Sequence, residues 1–260
     1  MIFHGRGISQ GKGEGEALVL DQPFSFLGGV NPKTGRLVSA PGKEGLDLSG
    51  KVLAFPRGKG STVGSYTILQ LRREGHLPAA IINHRAETIV ATGAVMAGLP
   101  MVDSVDPALL LDGDLVRVDG REGTVELPGV RCAKVVTSVL TREGRILMLK
   151  RSQNVSTNKG MWAAVSGYIE EGEQPLQTAI KEVREETGIV DAKLLRSIPA
   201  MTVRQKDLIW EIHPFLFESP TDRVTIDWEH TEHKWCPPSA MEDDASVVPG
   251  LRRLLRDLGL

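Results

Sequence analysis

The stretch that most restricts what this chain can become is residues 167–189, GYIEEGEQPLQTAIKEVREETGI. Pro175 suits the first turn of a helix, where a missing N–H costs nothing, and Gly188 suits the left-handed residue that ends one. Between them Leu176, Ala179, Ile180, Val183 and Thr187 recur at helical spacing, which predicts one buried face. Glu182, Glu185 and Glu186 fall together on the flank away from that face. Like charges three and four residues apart disfavour an isolated helix by roughly 0.2–0.5 kcal/mol per pair. A divalent cation with oxygen ligands reverses the sign, and Mg²⁺ is the usual choice where substrate phosphates complete the shell.

A length of 260 residues accommodates one or two domains, each with its own core. A net charge of −2 with 25% charged residues argues against a general binder of nucleic acid polymers or membranes. No apolar run approaches the ~20 residues needed to span a bilayer, and the start MIFHGRGISQ lacks the apolar core of a signal peptide. Cys132 and Cys236 are far apart in sequence and read as free thiols in a reducing cytoplasm rather than as a disulfide scaffold. Two cysteines are also too few for an iron–sulfur cluster, which usually takes three or four.

The first 129 residues are glycine-rich and built of short elements. Ala17–Leu20, Leu37–Val38, Lys51–Phe55, Ala79–Asn83 and Leu99–Val102 read as strands; Thr62–Glu74 and Glu87–Ala97 read as helices stopped by Gly75 and Gly98. Leu115–Val118 and Thr124–Leu127 form a hairpin around Asp119-Gly120. Strands alternating with helices imply a mixed sheet covered by helices. Leu127-Pro128-Gly129 is the natural joint, after which Val135–Leu140 and Ile146–Lys150 make a new hairpin. Met201–Phe217 reads as strands and Val247–Leu258 as a packing amphipathic helix.

Residues 55–65, FPRGKGSTVGS, follow a strand and open a helix, so their N–H groups favour an anion, and Arg57 and Lys59 add positive charge around Gly60. The stretch is neither a Walker A loop nor a G-x-G-x-x-G fingerprint. Ser61 has two readings here, a helix N-cap or part of an anion or substrate site.

Gly167, Glu173 and the run Lys181-Glu-Val-Arg-Glu-Glu-Thr-Gly-Ile189 closely resemble the Nudix box, G-x5-E-x7-R-E-U-x-E-E-x-G-U with U aliphatic. Lys181 is the one departure, standing where the family has an arginine that forks onto a glutamate of the box. A lysine point charge does not copy a planar fork, although a Lys181–Glu185 contact at i, i+4 stands in for it in part. The resemblance implies hydrolysis of a diphosphate joined to another moiety, with Mg²⁺ or Mn²⁺ as cofactor. It implies Glu185 and Glu186 as metal ligands, Glu182 as ligand or general base, the Gly167 carbonyl as a further ligand, and Glu173 as an orienting group.

A second resemblance covers nearly all of residues 1–129. GRGISQGKGEGEALV (5–19), FLGGVNPKTG (26–35), the 55–65 loop and NHRAETIVATGAVMAGLPMVD (83–103) are similar to the swivelling small subunit of the aconitase X family, whose archaeal members are phosphomevalonate dehydratases. The resemblance implies a separate large subunit carrying the iron–sulfur cluster, loss of water from 5-phosphomevalonate to give trans-anhydromevalonate 5-phosphate, and Ser61 as the proton acceptor. Arg57, Lys59 and Gly60 would hold substrate phosphate or carboxylate. His4, Arg6 and Ser9 line the same cleft or belong to an N-terminal arm packed on the partner.

The implied fold is α/β throughout: a swivelling β/β/α domain over 1–129 and a Nudix α/β/α sandwich over 130–260. Small phosphorylated molecules are the expected substrates of both. Two alternatives remain for the second domain. It could be a non-catalytic module that senses a ligand and regulates the dehydratase, or a relative of the Nudix-like isopentenyl diphosphate isomerases, which need a catalytic cysteine that neither Cys132 nor Cys236 is well placed to supply. Weaker signals surround the box. Trp162 reads as core or as a base-stacking ring, and Arg151, Lys159 and Arg204 as phosphate contacts or solvated surface. The run Asp227–Trp235, DWEHTEHKW, offers Glu229 or Glu232 as an auxiliary carboxylate and His230 and His233 as a weak zinc pair.

Overall fold

A computed structural model describes residues 1–241 and 244–260. The chain divides into two compact units, Met1–Arg131 with Arg204–Ile209, and Cys132–Val203 with Trp210–Leu260.

The first unit contains β1 (Ile2–His4), β2 (Arg6–Ser9), β3 (Lys12–Val19), a single turn α1 (Phe26–Gly29), β4 (Val30–Asn31), β5 (Arg36–Leu37) and β6 (Val52–Phe55). Then come α2 (Val63–Glu74), β7 (Ala80–Asn83), α3 (Thr88–Ala97), β8 (Met101–Asp103), β9 (Leu115–Asp119) and β10 (Thr124–Glu126). Apart from the small β4–β5 pair, the strands form one sheet in the order β1-β10-β9-β3-β6-β7-β8-β2. Strand β3 is its corner. Lys12–Glu16 pairs antiparallel with β9, while Ala17–Val19 pairs parallel with β6. The alternating glycines of the KGEGEAL stretch permit the turn, since a Cβ on Gly13 would lie 2.1 Å from the Ala79 carbonyl oxygen and one on Gly15 2.3 Å from that of Gly50. Strands β6 and β7 are buried throughout, as parallel strands covered on both faces must be.

One sheet face packs Leu53, Phe55 and Ile81 against Ile68 and Leu71 of α2 and Val90 and Ala94 of α3. The other packs Val52, Ala54 and Ile82 against Val116, Val118 and Val125 of the antiparallel part. The result is a β/β/α layering with two cores. Helices α2 and α3 stop at Gly75 and Gly98 in the left-handed region, at φ 80° and 58°.

The second unit contains β11 (Arg131–Arg142), β12 (Arg145–Arg151), β13 (Trp162–Ala163), β14 (Val165–Tyr168), α4 (Pro175–Thr187) and β15 (Lys193–Ser197). It continues with β16 (Met201–Gln205) and β17 (Leu208–Glu218), of which residues 204–209 belong to the first unit, then β18 (His230–Cys236) and α5 (Leu251–Leu258). The central order is β13-β12-β11-β17-β15, with β14 on β11, β16 on β17 and β18 on β12. Helix α4 covers one face through Ala179 and Val183 against Val136, Leu147, Val165 and Phe217. Helix α5 covers the other through Leu251, Leu254, Leu255 and Leu258 against Val139, Ile146 and Met148. This is an α/β/α sandwich. Among the described residues no helix is long and apolar enough to cross a membrane.

The helix over 175–187 ends as its sequence dictates, with Pro175 in the first turn and Gly188 at φ 68°. Its buried face is rotated from the expected one. Thr178, Ala179, Val183, Glu186 and Thr187 are buried, whereas Leu176 and Ile180 are 37% and 53% exposed. The sheet, not the helix's own apolar count, selects the face. Thr187 is accommodated there by donating its hydroxyl to the Val183 carbonyl, and Thr178 by donating to Glu173.

Candidate functional site

Strand β14 and helix α4 carry the acidic site. Gly167 faces α4, and its missing side chain leaves the space that the Glu182 carboxyl fills: a Cβ there would sit 2.1 Å from Glu182 Cδ. One turn further on, Glu186 Oε1 accepts the Ser166 N–H at 3.3 Å. Glu186 is only 3% exposed, not on an open flank as its sequence position suggested, and its Oε2 is buried without a hydrogen-bond partner among the described residues. Glu182 is half-buried and Glu185 is exposed, so the three glutamates occupy three different environments.

Burial pushes the Glu186 carboxyl well above the ordinary carboxylate range; the Ser166 N–H opposes this, while the charges of Glu182, Asp227 and Glu229 add to it. Burial also raises Glu182, helped by Glu185 and then opposed by Lys181. The structure therefore gathers Glu182 and Glu186 of α4 with Asp227 and Glu229 from the segment before β18, in surroundings where burial disfavours their charge. An oxygen-only donor set with an orphaned buried acceptor suits a hard divalent cation. Glu182, Glu186 and the Gly167 carbonyl fit such an ion, although among the described residues no three His, Cys, Asp or Glu side chains already converge as a metal-binding group.

Glu173 holds the loop ahead of α4. Its Oε2 accepts the Thr178 hydroxyl at 2.8 Å and the Glu170 N–H at 3.3 Å, and Lys181 Nζ lies 3.4 Å from its Oε1. Lys181 thus pairs with Glu173, eight residues back, and not with Glu185 as helix spacing had suggested. The loop returns Glu173 to the helix flank, where it already accepts two hydrogen bonds and forms the better-fixed counter-charge.

The run 227–235 separates its residues. Glu229, in the turn before β18, raises the carboxyls of both Glu182 and Glu186 and so belongs to the acidic cluster. Glu232 does not, because its Oε1 is paired with Lys150 Nζ at 2.6 Å. His230 is buried beside Glu186 and His233 is exposed, which leaves no zinc pair. Trp162 packs on the α5 side of the core with Lys234 Nζ 4.1 Å from its ring centroid. Arg151 donates to the Thr157 carbonyl, Lys159 is exposed, and Arg204 groups with the first unit. Burial raises both thiols, Cys132 and Cys236, the opposite of what an activated cysteine needs.

In the first unit the 56–62 loop runs from β6 to α2. It is clipped to residue 24 by the Phe24 N–H donating to the Arg57 carbonyl at 3.0 Å and the Lys59 N–H donating to Phe24 at 2.9 Å. Arg57, Lys59, Gly60 and Ser61 are exposed, and Gly60 takes φ 105°. Thr62, not Ser61, is the residue at the helix boundary, and it makes no side-chain cap. Among the described residues Ser61 Oγ accepts only the Val63 N–H, at 3.3 Å, so the hydroxyl stays available on the surface.

Composition gave no hint of Asp103, a carboxylate 1% exposed at the end of β8. Arg6 forks onto it, Nε to Oδ1 at 3.0 Å and Nη2 to Oδ2 at 2.7 Å, and the Ala86 N–H donates to Oδ2 at 2.9 Å. Burial pushes this carboxyl up, but the Arg6 and Ala86 hydrogen bonds, the Arg6 charge and the Ser104 hydroxyl bring it below its ordinary value. Its stabilisation is therefore present above the unfolded-state pKa and lost as pH falls through the lower folded one. Asp103→Asn is expected to lower the unfolding free energy by about 1–3 kcal/mol at neutral pH, and by progressively less in acid. Urea unfolding against pH checks both.

Two family models match the chain, the aconitase X swivel domain over residues 2–127 and the NUDIX domain over 131–258. The phosphomevalonate dehydratase small subunit of Thermococcus onnurineus (strain NA1) is 56% identical over 128 residues, 49% of this chain and 98% of the relative. The crystal structure of Thermococcus kodakaraensis aconitase X in its holo-form is 52% identical over 49% of this chain and 98% of that one, with a TM-score of 0.48. The MutT protein of Methanosarcina mazei Go1 is 20% identical over 50% of this chain and 94% of that one, with a TM-score of 0.44. With a relative matched almost end to end by its first half and the NUDIX model spanning its second, the chain belongs to the aconitase X swivel-domain family and carries a Nudix domain behind the swivel.

Proposed function

We propose that this chain is a fusion of two working parts, a phosphomevalonate dehydratase small subunit over residues 1–129 and a Mg²⁺-dependent Nudix hydrolase over 130–260. For the first part the supporting observation is 56% identity to a protein named as such a subunit across nearly its whole length. The partner is then a large subunit that holds the iron–sulfur cluster, and the reaction is loss of water from 5-phosphomevalonate. Ser61 is the proton acceptor, on an exposed loop whose neighbours Arg57, Lys59 and the Gly60 backbone bind the anionic ends of the substrate. A serine hydroxyl is a weak base at its normal pKa, so the alkoxide must be stabilised by the positive loop, the amides at the start of α2 and the partner.

For the second part, the observation that carries the reading is the orphaned Oε2 of Glu186, a buried acceptor with no hydrogen bond among the described residues. Glu182, Glu186 and the Gly167 carbonyl would hold the divalent ion, with the exposed Glu185 as a further ligand. Such an ion, when bound, lowers the pKa of an attacking water and offsets charge on the leaving phosphate. The protein's own residues do the rest. Gly167 leaves room for Glu182, Glu173 and Lys181 fix the loop before α4, and the charge of Glu229 acts on both Glu182 and Glu186. Glu182, whose carboxyl is raised, serves as general base or ligand. The substrate is a nucleoside or isoprenoid diphosphate. Purifying the chain with its large subunit and assaying 5-phosphomevalonate alongside a panel of diphosphates tests both halves at once.

Gly167→Ala is the sharpest local check on the hydrolase half. The new methyl must displace the Glu182 carboxyl, whose flexible end can swing away without unfolding the domain. Metal-free melting should move little, while Mg²⁺-dependent turnover drops about 100-fold, the usual cost of a misplaced reacting group. Unchanged turnover would remove Glu182 from the mechanism.

A further inference from the structure

Two buried atoms in the second unit face each other, and among the described residues neither has a hydrogen bond: Glu186 Oε2 and His230 Nε2, 3.6 Å apart. The side chains are 4% and 0% exposed, so no bulk water serves either atom. The other ring nitrogen is committed, because His230 Nδ1 lies 2.9 Å from Asp227 Oδ1, and the same oxygen accepts the Glu229 N–H at 3.1 Å. A histidine that merely fills a core has both nitrogens satisfied. Here the backbone has been bent to point one of them at the acidic cluster. The register of β18 on β12 slips at this point, Arg151 opposing His230 while Lys150 opposes Glu232. Such bulges re-aim a side chain beside a site.

We propose that His230, held by Asp227, is a positioning residue for Glu186: it fixes the turn of that carboxylate toward β14 and so sets the affinity of the acidic site for a divalent cation. The inference rests on Glu186 being a cation ligand. Asp227 orients the ring, and the ring leaves Glu186 one polar neighbour on its Oε2 side, opposite the Ser166 N–H that holds Oε1. A carboxylate held at Oε1 alone could rotate out of place; the imidazole 3.6 Å from Oε2 limits that rotation without taking the oxygen from the cation. Outer partners of this kind usually change metal affinity by about 10–100-fold.

The test uses the full chain and Mn²⁺ as the probe, read by electron paramagnetic resonance. His230→Leu should weaken Mn²⁺ binding about 10–100-fold. His230→Gln, whose amide reaches the Nε2 position, should recover most of that loss, a rescue that a purely structural role would not give. In the metal-free protein the Nδ1–H signal of His230 should be visible by nitrogen-edited NMR and should shift in Asp227→Asn. Glu186→Gln is the control. If it abolishes Mn²⁺ binding while His230→Leu binds as tightly as the parent, the positioning role is overturned and the cation site stands. If Glu186→Gln itself binds normally, the cation site and the positioning role fall together. Equal losses in the Leu and Gln variants would also overturn the proposal, since the ring's polar contact would then be irrelevant.

Discussion

Glu186→Gln is expected to make the metal-free second domain more stable, while abolishing its stabilisation by Mg²⁺ and its hydrolysis. The opposite signs follow from burial. The parent carboxyl is held well above 4.5, the ordinary value, chiefly because desolvation disfavours its charge. As pH rises through that ordinary value the unfolded chain ionises while the folded chain does not, so stability falls with rising pH until the folded group itself ionises. A neutral Gln removes this slope. At neutral pH without metal the variant should gain about 1–3 kcal/mol, the scale of an unsatisfied buried polar group.

With Mg²⁺ at about 100 times its dissociation constant the parent should gain about 2.7 kcal/mol and the variant nothing. Hydrolysis should drop by more than about 100-fold, because loss of an outer partner alone costs about 10–100-fold. Melting curves from pH 4 to 8, with and without Mg²⁺, separate these effects. A variant that is less stable without metal, or one that keeps its Mg²⁺ shift, contradicts the assignment.

Ser61→Ala carries the second large effect. In the reconstituted pair with the large subunit, dehydration of 5-phosphomevalonate should fall by about 100- to 10,000-fold, the range for loss of a general base. Assembly should be untouched, because Ser61 is exposed and, among the described residues, the hydrogen bond its hydroxyl makes is a 3.3 Å contact from the Val63 N–H. The small change in the helix start is a further reason to expect the fold to persist, since Thr62 already occupies the boundary. Size-exclusion chromatography of the pair, run beside the turnover assay, distinguishes a lost base from a lost partner. Turnover equal to the parent would exclude Ser61 as the proton acceptor.

What the residues foretold divides by the range of the forces involved. Ends of elements were legible because they depend on local backbone rules: Pro175 opens α4, and Gly75, Gly98 and Gly188 close their helices in the left-handed region. The mixed sheet with helices on it was legible from the alternation of short apolar runs and amphipathic stretches. Which face of α4 is buried was not, because Leu176 and Ile180 are as apolar as Val183, and the choice was made by strands elsewhere in the chain. The corner at β3 was equally hidden, since the glycines that allow it look like any flexible stretch until the Ala79 and Gly50 carbonyls lie against them.

The same distinction runs through the acidic site. Its glutamates were evident from their spacing, but their three environments were not. Lys181 found Glu173 through a loop rather than Glu185 through the helix. Asp227 and His230 sit more than 40 positions beyond Glu182 and reach the site through a strand irregularity that no spacing rule anticipates. Of the two auxiliary carboxylates, only contact with Lys150 revealed that Glu232 is already paired.

Phosphorus NMR of the full chain, incubated with Mg²⁺ and a panel of nucleoside and isoprenoid diphosphates, bears most directly on the union of a diphosphate hydrolase with a dehydratase subunit. At least one diphosphate should give way to a monophosphate signal, and that signal should vanish on chelation and in Glu186→Gln. A panel in which every diphosphate persists, even where one of them binds and raises the melting temperature, would contradict hydrolysis and leave the Nudix domain as a ligand sensor.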